Sequence, residues 1–288
     1  EEKSEENISK EANNAEDEEE PKEKVEKNEE NSQVKTLAES TANSEVDEEV
    51  EFASESLKQY FIDNYDTNDD NKITKSEMAQ ITHLTIPYLG ETATDLKGIE
   101  NCINLQEISI SNCSNFGILA TLQNLQIVTV YDINDINELN NLKSIPNIKS
   151  LSLYNSEIDF RKYDITQLPT QIEKLELSNV YINDISKLIN FSNLQDLGLI
   201  YINSDKITGL EVINQLHNLK TLSIRGITYI KDIEFLHNNQ TIENLNITDC
   251  EIKDITDIST MKNLKSIDIY GNNIQDMSVL ENSPLITE

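Results

Sequence analysis

The sequence predicts an α/β repeat solenoid, a stack of about nine units with a parallel β-sheet on the concave side and a short helical cap at the N-terminal end. Three observations predict it. An apolar triplet recurs at intervals of 20 to 25 residues from Ile81 onward. A break in composition near residue 51 separates an acidic, apolar-poor arm from the rest. Between the two lies a loop rich in Asp and Asn, flanked by apolar residues at helical spacing.

The arm, residues 1–51, holds twenty acidic and six basic side chains, a net of −14 within a total of −30. It includes the run Glu16-Asp17-Glu18-Glu19-Glu20 ahead of Pro21. So little apolar surface cannot offset chain entropy, and a solvated, disordered stalk is expected. The first residue is Glu1 rather than methionine, which is read as a leader removed by processing or cloning.

Residues 52–80 are expected to form the helical cap. Leu57 and Phe61 before the loop, and Met78 and Ile81 after it, have helical spacing. The loop itself runs Asp66-Thr67-Asn68-Asp69-Asp70-Asn71-Lys72-Ile73-Thr74-Lys75-Ser76-Glu77. It resembles the twelve-residue EF-hand loop, with Asp66, Asn68 and Asp70 at positions 1, 3 and 5, the Lys72 carbonyl at 7, Thr74 at 9 and Glu77 at 12. Hard calcium takes such an oxygen set, so calcium is the expected cofactor. Asn71 replaces the glycine of position 6 and tolerates a left-handed turn better than most residues. A metal-free Asx turn between two capping helices is the competing reading.

Residues 81–288 carry the array. Apolar residues at positions 1, 4 and 6 of a unit begin at Ile81, Leu105, Leu125, Ile148, Ile172, Leu194, Leu219, Ile242 and Leu264. This is the pattern of a leucine-rich-repeat horseshoe, in which stacked neighbours share the core that one unit cannot bury alone. Leu285 occupies position 1 of a tenth unit. Cys113, Cys250 and Asn272 fall at position 9, where a small polar side chain serves buried turn backbone. Three cysteines, Cys102 included, make no disulfide framework and are assigned to the core.

The second half of each unit narrows the class. Asn183-Asp184-Ile185, Lys231-Asp232-Ile233 and Lys253-Asp254-Ile255 share an Asp-Ile element that opens a return segment. With the LxxLxLxxNxI strand and turn, this style resembles the internalin family of bacterial surface proteins over residues 81–285. Repeats three and four depart from it, since Ile158 is followed by Asp159-Phe160-Arg161-Lys162-Tyr163 without a clean Asp-Ile pair. The resemblance implies a cell-surface or secreted location and a helical, EF-hand-like cap. It identifies no receptor.

Side chains alternate along a strand, so positions 3, 5 and 7 face outward on the concave side. Position 7 supplies the larger anchors. Tyr131, Tyr154 and Arg225 are the first candidates for ligand contact, with Ile200 and Tyr270 next. A protein or glycan on this face is the expected partner, bound by a chain that is itself monomeric. The acidic balance repels phosphate backbones and anionic lipid, and no apolar run is long enough to enter a bilayer.

Catalysis finds no support in the sequence. His83, His217 and His237 share no metal-ligand spacing, and seven glycines build no phosphate-binding loop. A non-catalytic, adhesin-like binding module is the leading expectation; a structural spacer, or the recognition region of a larger protein or effector enzyme, is the alternative.

Overall fold

The computed structural model describes residues 47–154 and 157–281. The arm up to residue 46, and Leu285 with the tenth unit it would begin, lie outside the described residues.

The cap starts earlier than composition suggests. Glu49 forms an antiparallel bridge with Thr74, flanked by hydrogen bonds from Val50 N to Ile73 O (2.7 Å) and from Lys75 N to Glu48 O (2.9 Å). Residues 48–50, counted with the arm above, therefore belong to the cap. Val50, with only 3% of its surface exposed, joins the core beside Ile73. A single apolar residue inside a charged run is enough to dock a strand when a partner strand waits for it.

The first helix spans Glu55–Tyr65, opened by the Ser54 hydroxyl accepting from Leu57 N, and it buries Leu57 and Phe61 on one face. The second spans only Lys75–Met78. Helical spacing after the loop thus stops short: Ala79 caps the helix, and Ile81 is buried outside it as the first apolar residue of the array. Phe52 stacks on Phe61 at 5.2 Å and presses against Gly98, whose φ of +114° and lack of a Cβ leave room for that ring.

The array has the predicted register. Nine parallel strands follow chain order, from His83–Ile86 to Ser266–Asp268. Leu84, Ile108, Val128, Leu151, Leu175, Leu197, Leu222, Leu245 and Ile267 lie opposite one another as one continuous row. All but the last are at most 2% exposed. Strands stack about 4.8 Å apart, and the bulkier 3-10 segments on the opposite side need more width, so the sheet takes the inner, concave side.

The Asp-Ile element explains how each return begins. Carboxylates of Asp95, Asp135, Asp184, Asp232, Asp254 and Asp276 each accept from the backbone N–H two residues ahead, at 2.8–3.2 Å. The isoleucine that follows Asp184, Asp232 and Asp254 is buried. Repeats three and four keep this device, contrary to the sequence reading. In repeat four the pair is Asp164-Ile165, which caps the 3-10 segment Ile165–Gln167. It lies downstream because Asp159 to Tyr163 form an added turn, closed by Lys162 N and Tyr163 N donating to Asp159 O.

Two further columns hold the turns. Position 8 adopts a left-handed conformation at Asn112, Asn179, Tyr201, Gly226, Asp249 and Gly271. Asparagines just ahead of position 1 form a ladder, as Asn124 donates to Ile103 O (3.0 Å), Asn147 to Gln123 O (2.7 Å), Asn218 to Ser192 O (2.8 Å) and Asn263 to Gln240 O (2.6 Å).

Position 9 behaves as expected. The Cys113 thiol donates to Ser111 O, and that of Cys250 to Thr248 O (3.1 Å). Burial pushes the Cys102 and Cys113 thiols up to about 12 and raises that of Cys250, which suits packing rather than reactivity. Asn272 serves five backbone groups: its amide donates to Ile247 O, Ile269 O and, at 3.5 Å, Tyr270 O, and its carbonyl accepts from Cys250 N and Ile252 N. Asn272→Ala is expected to cost about 2 kcal/mol by orphaning these groups, read as a lower urea midpoint; an unchanged midpoint would contradict the role.

Candidate functional site

The concave face is built from the outward side chains of the nine strands. Most are small and polar, and several are less open than alternation implies: Ser111, Ser152 and Ser178 are buried. Ser111 turns its hydroxyl onto Asp132 at 2.7 Å. Large exposed groups stand out against this background.

Two of the five predicted contact residues come together. Tyr131 and Tyr154 stack with ring centroids 5.3 Å apart and planes 19° apart. Tyr131 is 45% exposed, and Ile127 on the same strand is 38% exposed. Tyr154 is half-buried and its hydroxyl bonds to the Glu176 carboxylate. Burial, then that carboxylate, pushes the phenol up to about 12, so it stays a protonated donor. The pair is thus held as one flat aromatic surface.

Ile200 and Arg225 form a second group, opposite one another on adjacent strands. Arg225 ion-pairs with Asp249 at 3.3 Å and lies 5.6 Å from the Tyr201 ring. Tyr270 stands apart near the C-terminal edge, 78% exposed. The sequence reading missed Tyr201. Its signal was positional: it occupies the left-handed column that elsewhere holds Asn, Asp or Gly, and a bulky residue there is strained. Its ring reaches over Gly226, where a Cβ would sit 2.2 Å from the ring.

Charge on the face is unbalanced. Glu107, Glu176, Asp196 and Asp268 outnumber Lys174 and Arg225 at positions 3, 5 and 7, and Lys174 already pairs with Asp196 at 3.5 Å. A complementary surface would present basic or neutral groups.

The predicted calcium ligands lie together in one loop. Asp66 accepts from the backbone N–H of Asn68, Asp70 and Asn71, and Asp70 accepts from Lys72 N at 2.9 Å. Asn71 is left-handed, at φ +62°, as its replacement of glycine required. Glu77, 8% exposed, takes the N–H and hydroxyl of Thr67 on one oxygen and those of Thr74 on the other, at 2.8–3.0 Å. Burial raises its pKa, but those four donors outweigh it and hold the carboxyl below the usual range. The hard oxygen donors suit calcium chemically. As arranged, however, they serve the loop's own backbone, and no cluster of three or more His, Cys, Asp or Glu able to hold a metal is found among the described residues.

No protein-family model and no curated protein matches the chain. Solved structures do. An internalin (inlF) from Listeria monocytogenes is similar at a TM-score of 0.51 and 21% identity, over 82% of this chain and 81% of that one. An internalin C2 from the same organism gives 0.45 at 22% identity, over 82% and 92%. The leucine-rich-repeat domain of the type III effector XopL gives 0.49 at 14% identity, over 80% and 87%. At such identities the likeness speaks to fold. The first of these and the nine-stranded parallel sheet give this chain a leucine-rich-repeat fold.

Proposed function

We propose that this chain is an internalin-like binding protein, secreted or displayed on a bacterial surface, that takes a protein ligand on its concave face. The observation that carries the proposal is the stacked Tyr131–Tyr154 pair beside exposed Ile127, a rigid aromatic surface in a mostly small and polar sheet. Tyrosine and arginine dominate interface energetics because each joins a large contact area to a directed hydrogen bond. The acidic balance of the face favours a ligand with basic groups around an apolar centre.

The test is capture from host or cell-wall material, followed by titration of the captured ligand. Tyr131→Ala with Tyr154→Ala is expected to weaken it by roughly a hundredfold, from about 3 kcal/mol of hot-spot loss. Full affinity in a folded double variant would move the site elsewhere.

Calcium binding by the loop belongs to the same proposal, with Asp66, Asn68, Asp70, Thr74, Glu77 and the Lys72 carbonyl as ligands. Hard oxygen chemistry and the left-handed Asn71 support it. An ion bound only by the folded cap stabilises it by linkage. The melting temperature should therefore rise with added calcium and fall with chelator; identical melts would rule the site out.

A further inference from the structure

The added turn of repeat four has a counterpart. Repeat six is the longest unit, 25 residues from Leu194 to Leu219, and its extra length falls at Asn203-Ser204-Asp205-Lys206. These two departures flank the regular turn of repeat five, Tyr181 to Lys187, and together the three line a groove of about 850 Å³. It lies on the flank beyond the strands, away from Tyr131 and Tyr154. Its volume falls within the roughly 300–1,000 Å³ of small-molecule clefts.

Its walls are organised. The Asp159 carboxylate grips Arg161 through Nε at 2.7 Å and Nη2 at 2.9 Å, and the guanidinium lies 4.5 Å from the centroid of Tyr181. That fork holds the Asp159 carboxyl far below the usual carboxylate range. Lys187 pairs with Asp164 at 3.0 Å. Asn203 is tied to Asn179 at 2.7 Å, and the Ser204 hydroxyl bonds Lys206 O at 3.0 Å. Asp205, Lys206 and Asn183 remain exposed along the rim.

The lining discriminates between ligand classes. With Asp159 and its second partner Lys162 counted, Arg161, Lys162, Lys187 and Lys206 balance Asp159, Asp164, Asp184 and Asp205, so the lining gives neither an anion nor a cation a net attraction. An apolar ligand would strip water from these groups without replacing its hydrogen bonds. What fits is an uncharged molecule with many hydroxyls and an apolar ring face. Carboxylates, amides and ammonium groups bond to neighbouring hydroxyls, while C–H faces pack on the exposed parts of the Phe160 and Tyr181 rings that Arg161 does not cover.

We infer that this groove is a second binding site, specific for a neutral oligosaccharide and independent of the concave face. The two departures from the repeat are what create it, and among the described residues no other turn is flanked by such a pair.

The full chain is titrated with neutral tetrasaccharides of glucose, mannose, galactose and N-acetylglucosamine, with sulfated and uronate oligomers alongside, by saturation-transfer NMR and calorimetry. At least one neutral sugar should bind at millimolar concentration, with affinity about tenfold weaker in Tyr181→Ala and in Asp205→Ala with Lys206→Ala. Tyr181→Phe should retain binding, and Tyr131→Ala should leave it unchanged. The rim variants touch exposed side chains, and an unaltered melting temperature certifies their fold. The inference is overturned if no neutral sugar binds, if only charged sugars bind, or if binding survives the groove variants. Because the protein ligand is read out by the concave-face variants alone, either proposal can fail without the other.

Discussion

Leu197→Ala is expected to lower the stability of the array by about 3–4 kcal/mol, within the range for a fully buried leucine whose cavity cannot collapse. Leu197 is 0% exposed and lies in the row of position-4 side chains, between Leu175 and Leu222. The mechanism differs from that in a globular core. A solenoid is held by nearest-neighbour interfaces, and a weakened central unit uncouples the units on either side. Urea unfolding should therefore become shallower or biphasic as well as shifting to lower midpoint. A sharp single transition, merely displaced, would mean that the array folds as one unit despite its linear contacts.

Glu77→Gln is expected to cost about 3 kcal/mol, the scale of losing charge-assisted hydrogen bonds at a buried carboxylate. Glutamine can keep one acceptor, but it places an amide where the second pair of donors converges. The pH dependence separates this from a packing defect. The folded pKa of Glu77 lies below its unfolded value, because the Thr67 and Thr74 donors outweigh the opposing effect of burial. Its contribution is therefore fully present above about pH 4.3 and lost as pH falls below that point. The variant should show a gentler loss of stability between pH 5 and acid, read by thermal melts across the range. Parallel curves for the two proteins would place the carboxylate's role elsewhere.

Most of the array was legible because its signal is redundant. Nine aligned triplets leave one register, and strand alternation then assigns the outward columns, which set Tyr131 and Tyr154 at position 7 of successive units, where their rings stack. What escaped notice has specific causes. Val50 is one apolar residue among acids, and composition averages it away. The Asp164-Ile165 cap is displaced by an added turn and so falls outside the offset that the other repeats share. The asparagine ladder was present in the letters, but its meaning requires knowing that each amide reaches a carbonyl about one unit back. Tyr201 was invisible while position 8 was not recognised as a left-handed column.

That ladder also separates two kinds of information in the chain. The asparagine ahead of position 1 donates to generic backbone, so this contact does not depend on which outward side chains the preceding unit displays. Units are interchangeable parts at the joint and individual at position 7. Lengthening by duplication, or trading one unit for another, would preserve the joinery while rewriting the surface offered to a ligand.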